Sequence, residues 1–292
     1  MKSVFKKELK AYFAGMTGWI VLAFLVLAAG FSSWLYNFYM AYASYETSLT
    51  LVVYVLLFVI PILTMRSLSE EKQRRTDQLL FTLPMKVSDI VIAKYFAMVT
   101  VFAIPCGVMC LIPLIMCLYS TGGVAVMLGV AYSAIFAFFL LGCALIAVGM
   151  FMSSLTESQI IAAVLTFAVL LLFLLMPTLA GLLPQTALAS YIAFTAVVLL
   201  LALLLYYLSK NYWASFFLAA ILEIPLLILF VTKKEIFEGA FQKVLDWFSV
   251  FSRLDSFLGY GLFDLTALIY FISVACAFVF FTVQSVEKKR YA

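Results

Sequence analysis

Residues 48–89 read SLTLVVYVLLFVIPILTM, then RSLSEEKQRRTD, then QLLFTLPMKVSD. The middle part, Arg66–Asp77, is a charged island: seven of its twelve residues carry charge, whereas the 18 residues before it carry none. An apolar stretch of about 18 residues or more is long enough to cross a bilayer as a helix. Another apolar stretch begins after Asp89. The pattern therefore predicts two membrane-spanning helices joined by a charged segment in water.

The composition of the whole chain favours the same class. Of its 292 residues, 67% are hydrophobic and 11% are charged, and the mean hydropathy is +1.18. A soluble domain keeps about a quarter of its residues charged. Inside lipid the backbone must satisfy its own hydrogen bonds, and the apolar stretches are too long for barrel strands. We therefore expect an all-α, polytopic helical membrane protein.

Eight spans are predicted, at 17–39, 48–65, 90–119, 125–151, 159–183, 186–208, 212–231 and 264–286. An even number places both termini on one side of the membrane. Fourteen of the 18 lysines and arginines fall on the side of the N-terminus and the charged island, and four fall on the other. Because these residues accumulate on the cytoplasmic side, both termini and the island are expected in the cytoplasm, with the chain in the cytoplasmic (inner) membrane.

Two segments outside the spans are amphipathic. Residues 1–14 place apolar side chains on one helical face and lysines largely opposite, which predicts an interfacial helix seated among membrane lipid headgroups. In the predicted outer segment 232–263, apolar residues recur at helical spacing between Phe237 and Leu258, which predicts one amphipathic helix. This helix either lies passively at the outer lipid boundary or covers the mouth of the bundle as a lid.

The charged island has the local features of a helix. Ser67 and Glu70 have the spacing of a capping box, in which each side chain bonds a backbone amide of the other's turn. Glu70–Arg74 and Glu71–Arg75 are pairs at i,i+4 spacing, each of which stabilises a helix by a few tenths of a kcal/mol. The sequence therefore predicts a short helix here, followed by a second helix that runs into the third span.

The run Ser69–Pro84 resembles the coupling segment of ABC-2-type transporter permeases. Matching residues are the acidic, threonine, double-leucine and proline positions, here Glu71, Thr76, Leu79, Leu80 and Pro84, while Arg75 stands where glycine is usual. The stretch 142–157 resembles the end of that family's fourth span. The C-terminal block 248–290 is similar to the subgroup related to gliding-motility permeases.

The resemblance implies a single permease domain over 1–292, with a six-helix core, an extra hairpin, an N-terminal elbow helix at 1–14 and a cytoplasmic coupling segment at 66–94. A separate cytoplasmic ATP-binding subunit would dock on that segment, and a second copy or a paralogous permease would complete an exporter. The implied ATPase-coupling residues are Arg66, Glu70, Glu71, Arg74, Arg75, Thr76, Asp77, Leu79, Leu80 and Pro84.

The sequence lacks the residues on which several kinds of chemistry depend. It has no G-x-x-x-x-G-K-[ST] phosphate loop, so ATP hydrolysis is expected on another polypeptide. It also has no histidine, which is the commonest general base and metal ligand. We expect no enzymatic activity, no catalytic or metal site, no cofactor and no nucleic-acid partner.

Glu223 is the odd residue of the seventh predicted span. An ionisable group inside a membrane is costly and points to function by default. Two alternatives stay open: contact with substrate or protons, or a carboxyl that is neutral or hydrogen-bonded between helices. A secondary transporter would need more such charges along a pathway, and a membrane assembly protein would need no ATPase partner; both remain alternatives to the exporter.

Gly142 and Gly149 lie two helical turns apart on the fourth predicted span, close to Ala144 and Ala147. Small residues let membrane helices approach closely. We therefore expect neighbouring helices to contact the backbone of this span.

Overall fold

The computed structural model describes residues 2–42, 44–73, 86–119, 127–210, 212–259, 261 and 263–291. These residues form helices joined by turns, without a strand among them, which confirms the all-α class. In chain order the helices are α1 Lys2–Ala14, α2 Met16–Ser33 with a π-helical continuation Trp34–Tyr39, α3 Tyr45–Thr64, α4 Ser69–Gln73, α5 Val87–Met109, α6 Leu111–Tyr119, α7 Leu128–Leu155, α8 Gln159–Leu182, α9 Ala187–Ser209, α10 Tyr212–Thr232, α11 Lys234–Phe237, α12 Ala240–Phe248, a 3-10 turn Ser252–Leu254, α13 Asp255–Leu258 and α14 Leu265–Tyr291.

Helices occupy all eight places where spans were predicted. Within the described residues, six are long and apolar enough to cross a membrane: Met16–Tyr39, Tyr45–Gln73, Val87–Leu118, Leu128–Leu155, Gln159–Leu182 and Leu265–Lys288. The pair Phe216–Thr232 and Lys234–Phe248, which is bent by 115°, makes a seventh if it counts as one span. The apolar helix Ala187–Leu203 is shorter than these. The number of spans is therefore six to seven rather than eight, because composition alone detects neither bends nor short helices.

The chain forms two compact units, one from Met1–Leu172 with Arg253–Ala292 and the other from Phe173–Ser252. In the first unit, α7 is the central helix and packs against α3, α5 and α14. Every residue from Leu141 to Met150 is buried. The helix α2 packs against α3 and α5, and α1 packs along α5. In the second unit, α9 and α10 pack side by side, and α11 and α12 lie against α9.

Gly142 and Gly149 of α7 sit where neighbouring helices come closest. A Cβ atom built on Gly142 would lie 2.1 Å from Cε1 of Phe102 on α5. One built on Gly149 would lie 2.4 Å from Oγ1 of Thr64 at the end of α3. Both distances are far inside van der Waals contact, so only glycine fits. The expectation of close helix approach at this span is confirmed.

The prediction of one amphipathic helix in 232–263 is wrong. Over the described residues this segment forms α11, α12, the 3-10 turn and α13 as separate pieces. Gly239 has φ +66°, a left-handed conformation that ends α11 and turns the chain into α12. Phe257 is fully buried, and α13 packs against α3 and α7. A hydrophobic repeat shows which residues are buried, but a single residue with positive φ is enough to divide the helix.

Candidate functional site

The described part of the charged island is the turn after α3 and the short helix α4. Arg66, Glu70 and Glu71 lie in this part, and all three side chains are partly buried. The other predicted coupling residues lie outside the described residues: Arg74, Arg75, Thr76, Asp77, Leu79, Leu80 and Pro84. The predicted pairs of Glu70 and Glu71 with these arginines therefore lie outside them as well.

The N-terminal end of α4 is held by a residue of another helix. The hydroxyl of Ser153 on α7 accepts hydrogen bonds from the amides of Leu68, at 3.2 Å, and Ser69, at 3.1 Å. It lies 3.4 Å from the carbonyl of Met65, to which it donates. The Ser67 hydroxyl has no hydrogen-bond partner within the described ranges, so the predicted capping box is not formed. The first amides of a helix need an acceptor, and here α7 supplies it.

Replacing Ser153 by alanine should destabilise the protein by about 1–3 kcal/mol, because two buried amides would lose their acceptor. Thermal unfolding in detergent, followed by tryptophan fluorescence, measures the change. Ser133→Ala is the matched control on the same helix, since that hydroxyl donates to the Val130 carbonyl one turn earlier in its own helix. Equal unfolding temperatures for the two variants would contradict a role for Ser153 in holding the island.

Lys94 on α5 joins three segments at one point. Its ammonium lies 2.8 Å from Oε1 of Glu71 in the charged island and 3.1 Å from Oε1 of Glu8 on α1. It also donates a hydrogen bond of 2.9 Å to the carbonyl of Ser67. The Lys94 side chain is only 3% exposed, and those of Glu8 and Glu71 are 16% and 20% exposed.

The three partners match the chemistry of a lysine ammonium. This group has three N–H donors and no acceptor, and its three neighbours here are all oxygen acceptors. A buried charge is tolerated only when it is paired and hydrogen-bonded. Neither Lys94 nor Glu8 is among the residues that the sequence predicted for the site. The signal was present, however: Lys94 is the one charged residue of the predicted span 90–119.

A second ion pair lies beside the first, also facing α1. Nε of Arg66 lies 2.8 Å from Oε2 of Glu70, and Nη2 lies 3.3 Å from Oε1. This two-pronged geometry is the preferred pairing of arginine with a carboxylate. A small cavity of about 50 Å³ lies between this pair and α1; its lining residues are Glu8, Ala11, Tyr12, Thr17, Arg66 and Glu70.

Tyr12 connects α1 to the last turn of α3. Its hydroxyl donates to the carbonyl of Leu63 at 3.3 Å. Burial raises the pKa of the Tyr12 phenol above its ordinary value, and the negative charge of Glu8 acts in the same direction. The phenol therefore stays protonated and remains a hydrogen-bond donor at physiological pH.

The C-terminal end of α4 is tied to α7 and, through it, to α14. The ammonium of Lys72 donates to the carbonyl of Ser154. The hydroxyl of Ser154 is hydrogen-bonded to that of Ser285 at 3.1 Å. The start of the charged island is thus attached to α1, α5 and α7, and its helix is not a free loop.

Glu223 lies in the second unit, on α10. Its Oε1 accepts a hydrogen bond of 3.2 Å from the Tyr191 hydroxyl on α9, and Tyr191 stacks on Phe230 with ring centroids 4.6 Å apart. Its Oε2 is buried and has no hydrogen-bond partner among the residues described. This geometry is the hydrogen-bonded carboxyl between helices that the sequence left as one alternative.

Comparison with known families bears on most of the first unit and on the start of the second. Residues 31–192 match the family described as ABC-2 family transporter protein. The match covers more than half of the 292 residues and includes α3, the charged island, α5 and α7. No curated protein matches the chain significantly. Across the described ranges no three cysteine, aspartate or glutamate side chains lie together so as to hold a metal ion.

Proposed function

The chain belongs to the ABC-2 family of transporter proteins, and we propose that it is the membrane-spanning subunit of an ATP-driven exporter. It is a multi-pass transporter permease. The proposal adds that a separate ATP-binding subunit docks on residues 66–94 and drives the permease through them.

One observation carries this proposal: at its start the charged island is attached to α7 and α5 and, through Lys94, to α1. Ser153 bonds its first amides, Lys72 bonds the end of α7, and Lys94 binds both Glu71 of the island and Glu8 of α1. A segment that only connects two spans needs acceptors for its buried amides, but it needs no buried ion pair with a further helix. A segment that receives force from a partner must be held firmly to the helices that it moves, since loosely supported sites lose their geometry.

The energy for transport would come from the partner. This sequence has no phosphate-binding loop, so ATP binding and hydrolysis take place on the docked subunit. ATP binding and hydrolysis change the shape of the docked subunit, and this change favours one of two arrangements of the permease helices. The charged island transmits the movement from the docked subunit to those helices. A second copy or a paralogous permease completes the pathway. Glu223 remains the candidate for contact with substrate or protons inside the membrane.

The proposed orientation places the charged island and both termini in the cytoplasm, with the protein in the cytoplasmic membrane. It corresponds to six spans, and it is supported by the distribution of lysine and arginine, since thirteen of the 18 then fall on that side and Lys210 joins the outer four. A cytoplasmic position is also what docking requires, because ATP is available there.

Capture of a co-expressed ATP-binding cassette subunit tests the docking. We expect the double reversal Arg74→Glu with Arg75→Glu to reduce capture from detergent extracts by more than about tenfold, since like charges at an interface cost several kcal/mol. These arginines are preferable to Glu71, whose substitution would also break the bond to Lys94.

The matched control reverses two exposed lysines on the predicted outer side, Lys233→Glu with Lys243→Glu. It makes the same change in net charge and should leave capture at the level of the parent. Equal capture by both double variants would overturn docking at the charged island. Transport that proceeds without any ATP-binding subunit would favour a secondary transporter instead.

A further inference from the structure

We propose that Lys94 locks the N-terminal helix α1 to the charged island, so that the two move as one body when the island is displaced. The inference rests on the proposed function, because the ATP-binding subunit is what displaces the island. It adds a positioning residue, Lys94, and a moving part, α1, to that function.

The lock follows from the arrangement of charges. Glu8 on α1 and Glu71 on α4 both reach the same ammonium, at 3.1 and 2.8 Å. Two carboxylates this close to one another repel. The ammonium between them attracts both, so it joins α1 to the charged island. Without Lys94 the same two residues would push α1 and the charged island apart.

Burial makes the bridge hard to open. The Lys94 side chain is 3% exposed, so water cannot replace a carboxylate that moves away. Removing one partner from a buried pair leaves an uncompensated charge, which is the costly case. The exposed lysines of α1, namely Lys2, Lys6, Lys7 and Lys10, impose no such restraint.

The helices α1 and α2 are separate elements, because Gly15 interrupts them with an extended backbone, φ −85° and ψ 169°. The position of α1 is therefore set by its side contacts. It packs along α5, its Glu8 binds Lys94, its Tyr12 donates to Leu63, and its Phe13 carbonyl accepts from Trp19 at the start of α2. The packing along α5 is more extensive than that against α2, and the buried bridge adds to it, so α1 follows α5 and the charged island.

Distances between spin labels test the lock in the full protein. One pair of labels at Lys7→Cys and Gln73→Cys, both exposed positions, spans α1 and the charged island. A second pair at Gln73→Cys and Tyr39→Cys reports movement of the charged island relative to α2, because Tyr39 is exposed and lies at the opposite end of α2 from α1. The native cysteines are replaced by alanine. Distances are measured in nanodiscs with the ATP-binding subunit, without nucleotide and with a non-hydrolysable ATP analogue.

In the parent, we expect nucleotide to change the Tyr39–Gln73 distance and to leave the Lys7–Gln73 distance narrow and unchanged. The triple variant Lys94→Met, Glu8→Gln, Glu71→Gln removes all three charges together, so it leaves no lone buried charge and should still fold. In it, the Lys7–Gln73 distribution should become at least about twofold wider and respond to nucleotide, because the buried bridge is gone. The single variant Lys94→Arg keeps the cation and both carboxylates, so its Lys7–Gln73 distribution should be as narrow as that of the parent.

The outcomes separate the two proposals. Because Glu71 is also a predicted coupling residue, the distances without nucleotide decide for the triple variant: if it folds and keeps the narrow Lys7–Gln73 distribution there, the lock is overturned. A Tyr39–Gln73 distance that ignores nucleotide in the parent would overturn the proposed ATP-driven movement. In that case the width of the Lys7–Gln73 distribution without nucleotide still decides whether Lys94 holds α1.

Discussion

Lys94→Met alone will lower the free energy of unfolding by about 3–5 kcal/mol, the range measured when one partner of a buried ion pair is removed. Methionine fills nearly the same space but has no charge. Glu8 and Glu71 would then face each other, partly buried, without the ammonium that both contact. The carbonyl of Ser67 would also lose a donor.

Thermal unfolding of the purified protein in detergent measures this loss, and a fall on the order of 10 °C is expected from the size of the change. Lys7→Met is the matched control, because that lysine lies exposed on α1, and surface substitutions usually stay within about 0.5 kcal/mol. Adding Glu8→Gln and Glu71→Gln to Lys94→Met should recover most of the loss. If the single and triple variants unfold together, charge pairing is not the source of the stability.

Gly142→Ala will destabilise the first unit by about 1–3 kcal/mol or more, the usual cost of overpacking a core. The added methyl group would lie 2.1 Å from the ring of Phe102. That ring cannot easily yield, since Phe102 is fully buried and its centroid lies 5.9 Å from that of Phe138 and 6.1 Å from that of Phe139. The helices α5 and α7 would have to separate to admit the methyl group.

Gly129→Ala on the same helix is the control for this prediction. Within the described part of the chain, and apart from the helix's own backbone and the two adjacent residues, no heavy atom lies within 4 Å of a Cβ built there, so the substitution should be neutral or stabilise the helix by about 0.5–1 kcal/mol. Both variants are compared by unfolding temperature in detergent. Phe102→Leu, which shortens the opposing side chain, should partly rescue Gly142→Ala. If Gly142→Ala proves as stable as Gly129→Ala, the close contact with Phe102 does not constrain the bundle.

These predictions concern two different requirements of the first unit. Gly142 and Gly149 allow α5 and α3 to approach the central helix α7, and Lys94 attaches α1 and the charged island to α5. The first requirement is one of shape and is met inside the bundle. The second is one of charge and is met where α1 and the charged island meet α5.

Much of the fold was predictable from local sequence. Hydropathy and length located helices at all eight expected places, because each helix closes its own backbone hydrogen bonds and needs no partner to be detected. Gly142 and Gly149 of α7 were also recognisable from the sequence, because small side chains let a neighbouring helix approach closely. The break at Gly239 was missed, because nothing in a hydrophobic repeat reports backbone φ.

The charged island illustrates where local patterns stop being informative. Its capping box satisfied the spacing rule, yet the amides at the start of α4 are bonded by Ser153, more than 80 residues away in the chain. A capping residue competes with every acceptor that the fold brings near, and the sequence does not show which of them arrives. The same holds for Glu71, whose described partner is Lys94 of the following helix.

Class, helix positions and the place of the charged island follow from composition and length, which are properties of neighbouring residues along the chain. The Lys94 bridge does not, because Glu8 lies 86 residues from its partner and meets it only after α1 has packed along α5. Charges in water are weakly selective about their partners, whereas a buried ammonium must find its acceptors in the packed bundle. The packing of the helices in three dimensions therefore determines which residues join α1 to the charged island.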